Sequence, residues 1–376
     1  MRMSAVVRAD FDARMMAIAL AMARRGLGST APNPSVGAVI ADESTGEMIA
    51  RGWTQPGGRP HAEKDALRRA GVRARGNTMY VTLEPCAHTG RIPTCSDAIV
   101  SSGITRVVCA LPDPNPVVAG HGFGQLREAG IDVDVGLFGT RARWVTLGHI
   151  LRQTAHRPFV QIKMALSADG RIAHGTGSPT WVTGTAARDD GHLLRAETDA
   201  IIIGGTTLRA DDPELTCRLP GLGGRSPIRI VFSPRSGLPI NAKLVISAAA
   251  HPVWLVTGAP SGQPDAELTA RGVQIVHVPE ALSGVAGLSA VMNTLAVKGI
   301  TRLLVEGGPR LWSGCLTAGV VDEAVVYQSG SPGPVDGRIV VEGGDLTAYF
   351  QAFGLRPVFT SPIGRDTRHV YRRSIR

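Results

Sequence analysis

Aromatic residues make up only 5% of this 376-residue chain, and no run of basic residues is interleaved with them. A groove that stacks bases on rings needs that interleaving, so the usual single-strand nucleic-acid surface is not written here. Cysteines number five, an odd count scattered over a long chain. That speaks against a disulfide framework and for a reducing, cytoplasmic setting. No apolar run is long enough to span a bilayer. The segment MMAIALAMA (15–23) resembles a signal-peptide core, but Asp10 and Asp12 precede it, Arg24 and Arg25 follow it, and it has no cleavage-type end. Apolar residues at 11, 15, 18, 19 and 22 recur at helical spacing, so it reads as an amphipathic first helix. Lysine is rare too, and the net charge of +9 is almost all arginine. A basic balance fits an anionic partner, either nucleic acid or a phosphorylated substrate and cofactor, and does not choose between them.

What is present is an alternation of strands and helices. The length suggests two domains, expected at 1–150 and 157–376. In the first, helix 11–25 is followed by strands at 36–41 and 48–54, helix 61–70 and strand 78–83. A helix over 95–102 ends at Gly103, strand 106–111 and helix 122–129 follow, and a strand over 131–137 closes the set. The stretch HILRQTAHRPF near 145–158 is polar, reaches a proline at 158 and reads as the seam. A second α/β set begins with FVQIKMAL (159–166) and ends in strands near 322–328 and 366–373. Its Gly/Pro/Ser-rich loops lie at 219–227, 233–239 and 329–337. The basic tract RDTRHVYRRSIR reads as a solvated last strand and tail. There is no internal repeat. The fold class expected is α/β, as sheets with helices on their faces.

The candidate chemistry starts at RPHAEKDALRRAG (59–71). Taken alone, Glu63 is a residue that favours a helix N-terminus and His61 a surface histidine. Downstream, Cys86 follows Pro85 at a strand end, and Cys95 opens a helix. One imidazole and two thiolates suit zinc better than magnesium or calcium. Three protein ligands leave a fourth tetrahedral position for water, which is the catalytic arrangement. Glu63, two residues after His61, is placed to carry a proton without binding metal. Zinc deaminases join H-x-E to P-C-x-x-C, but here eight residues separate the two cysteines. A four-ligand structural site is the competing reading; Cys109 is the nearest spare thiol, inside an apolar strand. A nucleic-acid base deaminase with an accessory domain is the alternative function.

The segments TAPNPSVGAVI, HAE, YVTLEPCAHTGRIPTC and ALPDPNPVVAGHG resemble the deaminase half of the bifunctional riboflavin-biosynthesis deaminase–reductase family, whose cysteine gap has this length. KMALSADGRIA, TWVTGTAARDDGHLLRAETDAIIIGG, TLRADDPELTCR and LLVEGGPRLWSGCLTAGVVDE resemble its reductase half. The match runs from about residue 10 to about 328, and YQSGSPGPVDG departs from it. The resemblance implies a cytidine-deaminase-like three-layer domain followed by a dihydrofolate-reductase-like α/β domain. It implies zinc-dependent deamination of a phosphoribosylamino-diaminopyrimidinone, then NADPH-dependent reduction of ribosyl to ribityl. It also implies a homodimer or homotetramer through the reductase half, with no nucleic-acid or membrane partner.

Residue by residue, the resemblance implies substrate contacts at Asn33, His88 and Arg91, with Arg91 near the phosphate. A turn asparagine and a solvated loop are the plain alternatives. In the second half, G-x-G-x-x-G is missing after the first strand, so the usual dinucleotide fold is not expected. Gly307 and Gly308 end a strand, and Pro309 opens the next helix, a place where backbone N–H groups hold a pyrophosphate. With that pair, Ala165, Trp181, Thr207 and Asp211 are implied on the NADPH side. Lys163, Arg195, Leu215, Arg218 and Glu306 are implied on the substrate side. Trp181 as core and the arginines as surface charge remain open at this point.

Overall fold

The structure is a computed structural model describing residues 5–87, 93–116, 118–172, 182–235, 237–259, 263–333 and 337–374. It divides into two compact units, Met1–His156 and Arg157–Arg376.

The first unit contains α1 (Ala5–Arg25), β1 (Gly37–Asp42), β2 (Glu47–Trp53), α2 (Ala62–Ala70), β3 (Thr78–Val81), α3 (Cys95–Ser102), β4 (Arg106–Cys109), α4 (His121–Glu128), β5 (Asp132–Val135) and α5 (Gly139–Thr154). The sheet order is β2-β1-β3-β4-β5. The β1 pairs with β2 and β3 are antiparallel, whereas β3–β4 and β4–β5 are parallel. β1, β3 and β4 are apolar on both sides because both faces are covered. Ala38, Ile40, Met79, Val81 and Val107 pack with α2, α3 and α4. Val39, Ala41, Tyr80 and Val108 pack with α1 and with Ala142 of α5. The result is three layers. α2 lies close on β2: a Cβ at Gly52 would stand 2.5 Å from the Ala66 nitrogen.

The seam expected at 145–158 is mostly helix. Arginines at 141, 143 and 152 hide a buried stripe on α5 that includes Ala142, Val145, His149 and Ile150, at helical spacing.

The second unit contains β6 (Phe159–Leu166), β7 (Arg171–Ile172), α6 (Thr185–Ala196), β8 (Ala200–Gly204), α7 (Gly205–Asp211), β9 (Ile228–Phe232), α8 (Lys243–Ile246), β10 (Val253–Thr257), α9 (Gln263–Ala270) and β11 (Val273–His277). It continues with α10 (Leu288–Val297), β12 (Arg302–Val305), α11 (Pro309–Thr317), β13 (Glu323–Ser329), β14 (Arg338–Ile339), α12 (Leu346–Gln351), β15 (Leu355–Ile363) and β16 (Asp366–Arg373). The main sheet runs β11-β10-β9-β8-β12-β6-β13-β16-β15. It is parallel from β11 to β13, and β16 and β15 add an antiparallel hairpin. Val160, Ile162, Met164 and Leu166 of β6 join the core formed with α10 and α11. Lys163 and Ala165 point to the opposite face, where Val325 and Tyr327 are their register neighbours and α6 packs.

The last strand, expected to be solvated, is instead partly buried. β16 lies between β13 and β15, with Asp366, Val370 and Tyr371 buried. Pro357 and Pro362 disguise β15 as loop, yet prolines are tolerated on an edge strand, and the pairing shifts register between Pro357 and Phe359.

Candidate active sites

In the first unit, two helix starts and one strand exit converge. His61 is the N-cap of α2, with extended backbone (φ −67°, ψ 160°). Cys95 is the first residue of α3, fixed by a capping box: Thr94 Oγ1 accepts from the Asp97 N–H at 3.1 Å, and the Asp97 carboxylate accepts from the Thr94 N–H at 2.8 Å. Cys86 follows β3, and its carbonyl accepts from the Ser96 N–H at 3.2 Å.

His61 Nδ1 lies 3.3 Å from Cys95 Sγ and 3.7 Å from Cys86 Sγ. The three ligand atoms all lie within 4.8 Å of one another, and among the described residues the cluster has only these members. Around a tetrahedral zinc with Zn–N of about 2.0 Å and Zn–S of about 2.3 Å, nitrogen and sulfur stand roughly 3.5 Å apart. The donor set and its spacing fit zinc.

The electrostatics fit as well. The Cys95 thiol and backbone N–H and the His61 ring outweigh burial and hold the Cys86 thiol down to about 4. Cys95 is pushed the other way, first by donating to Cys86 and then by burial. A site that holds one thiolate already has less to deprotonate when a cation enters. The His61 bond to Cys86 raises the imidazole against the effect of burial. Burial pushes the Glu63 carboxyl up, with His61 opposing, and a Cys95 hydrogen bond reaches it. At 3% exposure Glu63 sits where a proton carrier is shielded from bulk water.

Asn33 lies against the loop that enters His61: a Cβ at Gly58 would fall 2.0 Å from Asn33 Nδ2. That loop is tied by the Gln55 N–H to the Pro60 carbonyl at 3.1 Å. His88, Arg91 and Trp181 lie outside the described residues. Cys109 is a buried core residue of β4 and donates to the Leu111 carbonyl at 3.2 Å.

In the second unit, three of the expected residues form one charged cluster. Arg195 of α6 grips Glu306, just after β12, with Nε to Oε1 at 2.7 Å and Nη2 to Oε2 at 2.9 Å. Lys163 Nζ is 3.9 Å from the same carboxylate and 6.0 Å from the centre of the Tyr327 ring. Burial lowers the Lys163 ammonium below its ordinary range. Arg195 Nη1 also donates to the Thr216 carbonyl at 3.0 Å, which ties in the segment of Leu215, itself at φ 56°. Arg218 stands apart from this cluster, half-exposed and 3.4 Å from Glu214.

The glycine pair does not act alone. Thr207 Oγ1 accepts from the Gly308 N–H at 3.0 Å. A Cβ at Gly307 would stand 3.4 Å from the Gly204 nitrogen, so Gly204–Gly205, where β8 ends and α7 begins, abuts Gly307–Gly308 between β12 and α11. β8 and β12 are parallel neighbours, and their carboxyl ends are where such sheets bind ligands. A cradle that side chains would fill suits a pyrophosphate, so the residues fit NADPH. The sequence reading missed the first pair, although AIIIGG and LLVEGG carry the same signal, an apolar strand, two glycines and a helix. Ala165 is opposite Tyr327 in register, Pro309 is the first residue of α11, and Asp211 is the exposed last residue of α7. Glu84 was missed too: it is buried two residues before Cys86 and bonded to backbone N–H groups.

The sequence profile of the RibD C-terminal domain matches residues 158–365, and that of the cytidine and deoxycytidylate deaminase zinc-binding region matches 9–111. The riboflavin biosynthesis protein RibD of Aquifex aeolicus is 40% identical over 318 residues, 85% of this chain and 86% of its own. The chain belongs to the RibD family. The Escherichia coli RibD is also 40% identical, over 84% of this chain and 87% of its own. Among solved structures, an Acinetobacter baumannii RibD superposes with a TM-score of 0.83 at 34% identity, over 98% of this chain and 100% of that one. A Thermotoga maritima diaminohydroxyphosphoribosylaminopyrimidine deaminase/5-amino-6-(5-phosphoribosylamino)uracil reductase does so with a TM-score of 0.83 at 29% identity, with the same coverage. As a member of that family, the chain is a bifunctional deaminase and reductase of riboflavin biosynthesis that uses Zn2+ and NADPH. Its fold is a cytidine-deaminase-like unit followed by a dihydrofolate-reductase-like unit. The nucleic-acid base deaminase alternative is not favoured. Among the described residues no helix is long and apolar enough to cross a membrane.

Proposed function

We propose that the first unit deaminates 2,5-diamino-6-(5-phosphoribosylamino)pyrimidin-4(3H)-one and that the second reduces the ribosyl group of the product, giving 5-amino-6-(5-phosphoribitylamino)uracil. In this reading His61, Cys86 and Cys95 hold the zinc, and Glu63 is the catalytic proton carrier. One observation carries it: the His61 ring nitrogen stands 3.3 and 3.7 Å from two sulfurs, with the buried Glu63 in the first turn of the same helix. When bound, zinc supplies the Lewis acidity that makes water a nucleophile near neutral pH. Glu63, raised by burial, takes the proton and passes it to the departing ammonia. Asn33, His88 and Arg91 receive the pyrimidine and its phosphate.

In the second unit NADPH supplies the hydride. Gly307, Gly308 and Pro309, with Ala165, Trp181, Thr207 and Asp211, hold the cofactor. Lys163, Arg195, Leu215, Arg218 and Glu306 make up the substrate side, where Glu306 and the Thr216 carbonyl hold the Arg195 guanidinium in place. Copies associate through this unit. The exposed Val358 and Phe359 on edge strand β15 support that reading, and light scattering after size exclusion tests it. The free cysteines accord with a cytoplasmic setting.

The test separates the two activities in one chain. Glu63→Gln should lose ammonia release while the chain still oxidises NADPH with deaminated substrate, at about one zinc per chain. A variant that deaminates at full rate removes Glu63 from its role.

A further inference from the structure

Glu84 is 4% exposed and lies between β3 and Cys86. Its carboxylate is satisfied by backbone. Oε2 accepts from the N–H groups of Asp113 and Gly120, each at 3.1 Å. Oε1 accepts from Gly122 at 3.0 Å and Phe123 at 3.3 Å. Each oxygen thus takes two donors. Asp113 lies in the segment after β4, and the other three donors are the N-cap and first turn of α4. The contact is close-packed: a Cβ at Gly122 would stand 2.1 Å from the Pro85 carbonyl oxygen and 3.1 Å from Glu84 Cγ. Asp113 is braced in turn, its carboxylate 3.0 Å from Nε2 of the buried His149 on α5.

We propose that Glu84 is a positioning residue of the metal centre: its four backbone bonds pin Pro85–Cys86 against Asp113 and the start of α4 and so set where the Cys86 sulfur stands. The inference rests on the reading of Cys86 as a metal ligand. The physical reason is the acceptor count. A carboxylate offers about four acceptor sites and no donor, whereas a carboxamide replaces one oxygen with a donor group. Glutamine here would turn an NH2 toward two backbone N–H groups that have no alternative partner on that side chain. The joint would open, and only Pro85 separates it from the sulfur. Metal–ligand bonds tolerate displacements of about 0.2 Å, and outer groups that hold ligands typically change metal affinity by about 10–100-fold.

The test uses the full chain loaded with Co2+ in place of zinc, whose visible and sulfur-to-metal bands report ligand geometry without turnover. Glu84→Gln should shift those bands and weaken metal retention against a chelator by about tenfold or more. Gly122→Ala should do the same through the Pro85 carbonyl, so the inference stays testable should Glu84→Gln fail to fold. Gly124→Ala on the same helix, where an added Cβ meets nothing within 4 Å, should change neither. Unchanged bands and affinity in a folded Glu84→Gln, or an equal change in Gly124→Ala, would overturn the proposal. A wild-type chain whose cobalt spectrum lacks thiolate bands would instead remove the reading of Cys86 and take this inference with it.

Discussion

Arg195 and Glu306 meet fork to fork although 111 positions separate them, both with mostly buried side chains. Burial alone would raise the Glu306 carboxyl, but Arg195 and Lys163 overcome it and hold it down to about 2. Its folded value therefore lies below the unfolded one, which is about 4.3. Stability from this group is fully present above the unfolded value and is lost as pH falls toward 2. Denaturant unfolding of the second unit should lose about 3 kcal/mol across that window. Glu306→Gln should lack the loss there. At neutral pH it should already be weakened by about 3–5 kcal/mol, because the Arg195 charge is left buried and unpaired. An unchanged acid profile in Glu306→Gln would contradict the assignment.

Stripping the metal should expose a difference between the two cysteines. Cys86 is partly exposed and held down to about 4, while Cys95 is buried and pushed up. In chelator-treated protein near neutral pH, an alkylating reagent should label Cys86 well before Cys95. Zinc should protect both, and mass spectrometry of digests reads the order. Ammonia release should vanish with the metal while NADPH oxidation persists.

The cluster of His61, Cys86 and Cys95 was legible because its members sit at places that sequence marks: a histidine and a cysteine at helix starts, and a cysteine after a strand and proline. The chain separation from His61 to Cys95 did not hide it, since each piece has its own local signal. Glu84 has no such signal, because its partners are backbone N–H groups that every residue but proline carries. The charges of Arg195 and Glu306 could be singled out, but their pairing depends on α6 packing over the end of β12. α5 and β15 were missed for opposite reasons: arginines broke up an apolar stripe in one, and prolines mimicked loop in the other.

Arg106 ties the first sheet to three surroundings. Its guanidinium bonds Asp12 of α1 at 2.7 Å, Glu43 of the β1–β2 turn at 2.7 Å and Asp134 of β5 at 2.6 Å. Tyr80 donates to the same Asp12 at 2.6 Å. Burial would raise Asp12, yet Arg106 and Tyr80 together keep it below the usual range. Arg106→Met should cost about 3–5 kcal/mol in unfolding of the first unit, because Asp12 stays largely buried without its cation. Adding Asp12→Asn should recover part of that loss, and a double-mutant cycle measures the coupling.

Thr207 supports the glycine crevice without being one of its glycines. Its hydroxyl occupies the Gly308 N–H at 3.0 Å and so fixes the first turn of α11 against α7. Thr207→Val keeps the β-branched shape and removes the acceptor. The Gly308 N–H is then left without its partner, a penalty of about 1–1.5 kcal/mol for a neutral hydrogen bond. The two glycine pairs lose their fixed spacing, so the cost falls on cofactor binding rather than on the Arg195–Glu306 cluster. KM for NADPH should rise about five- to tenfold while KM for the phosphorylated substrate moves less than twofold. Ammonia release, made in the other unit, should be unchanged. A rise confined to the substrate KM would show that Thr207 serves the cation side of the site and not the nucleotide side.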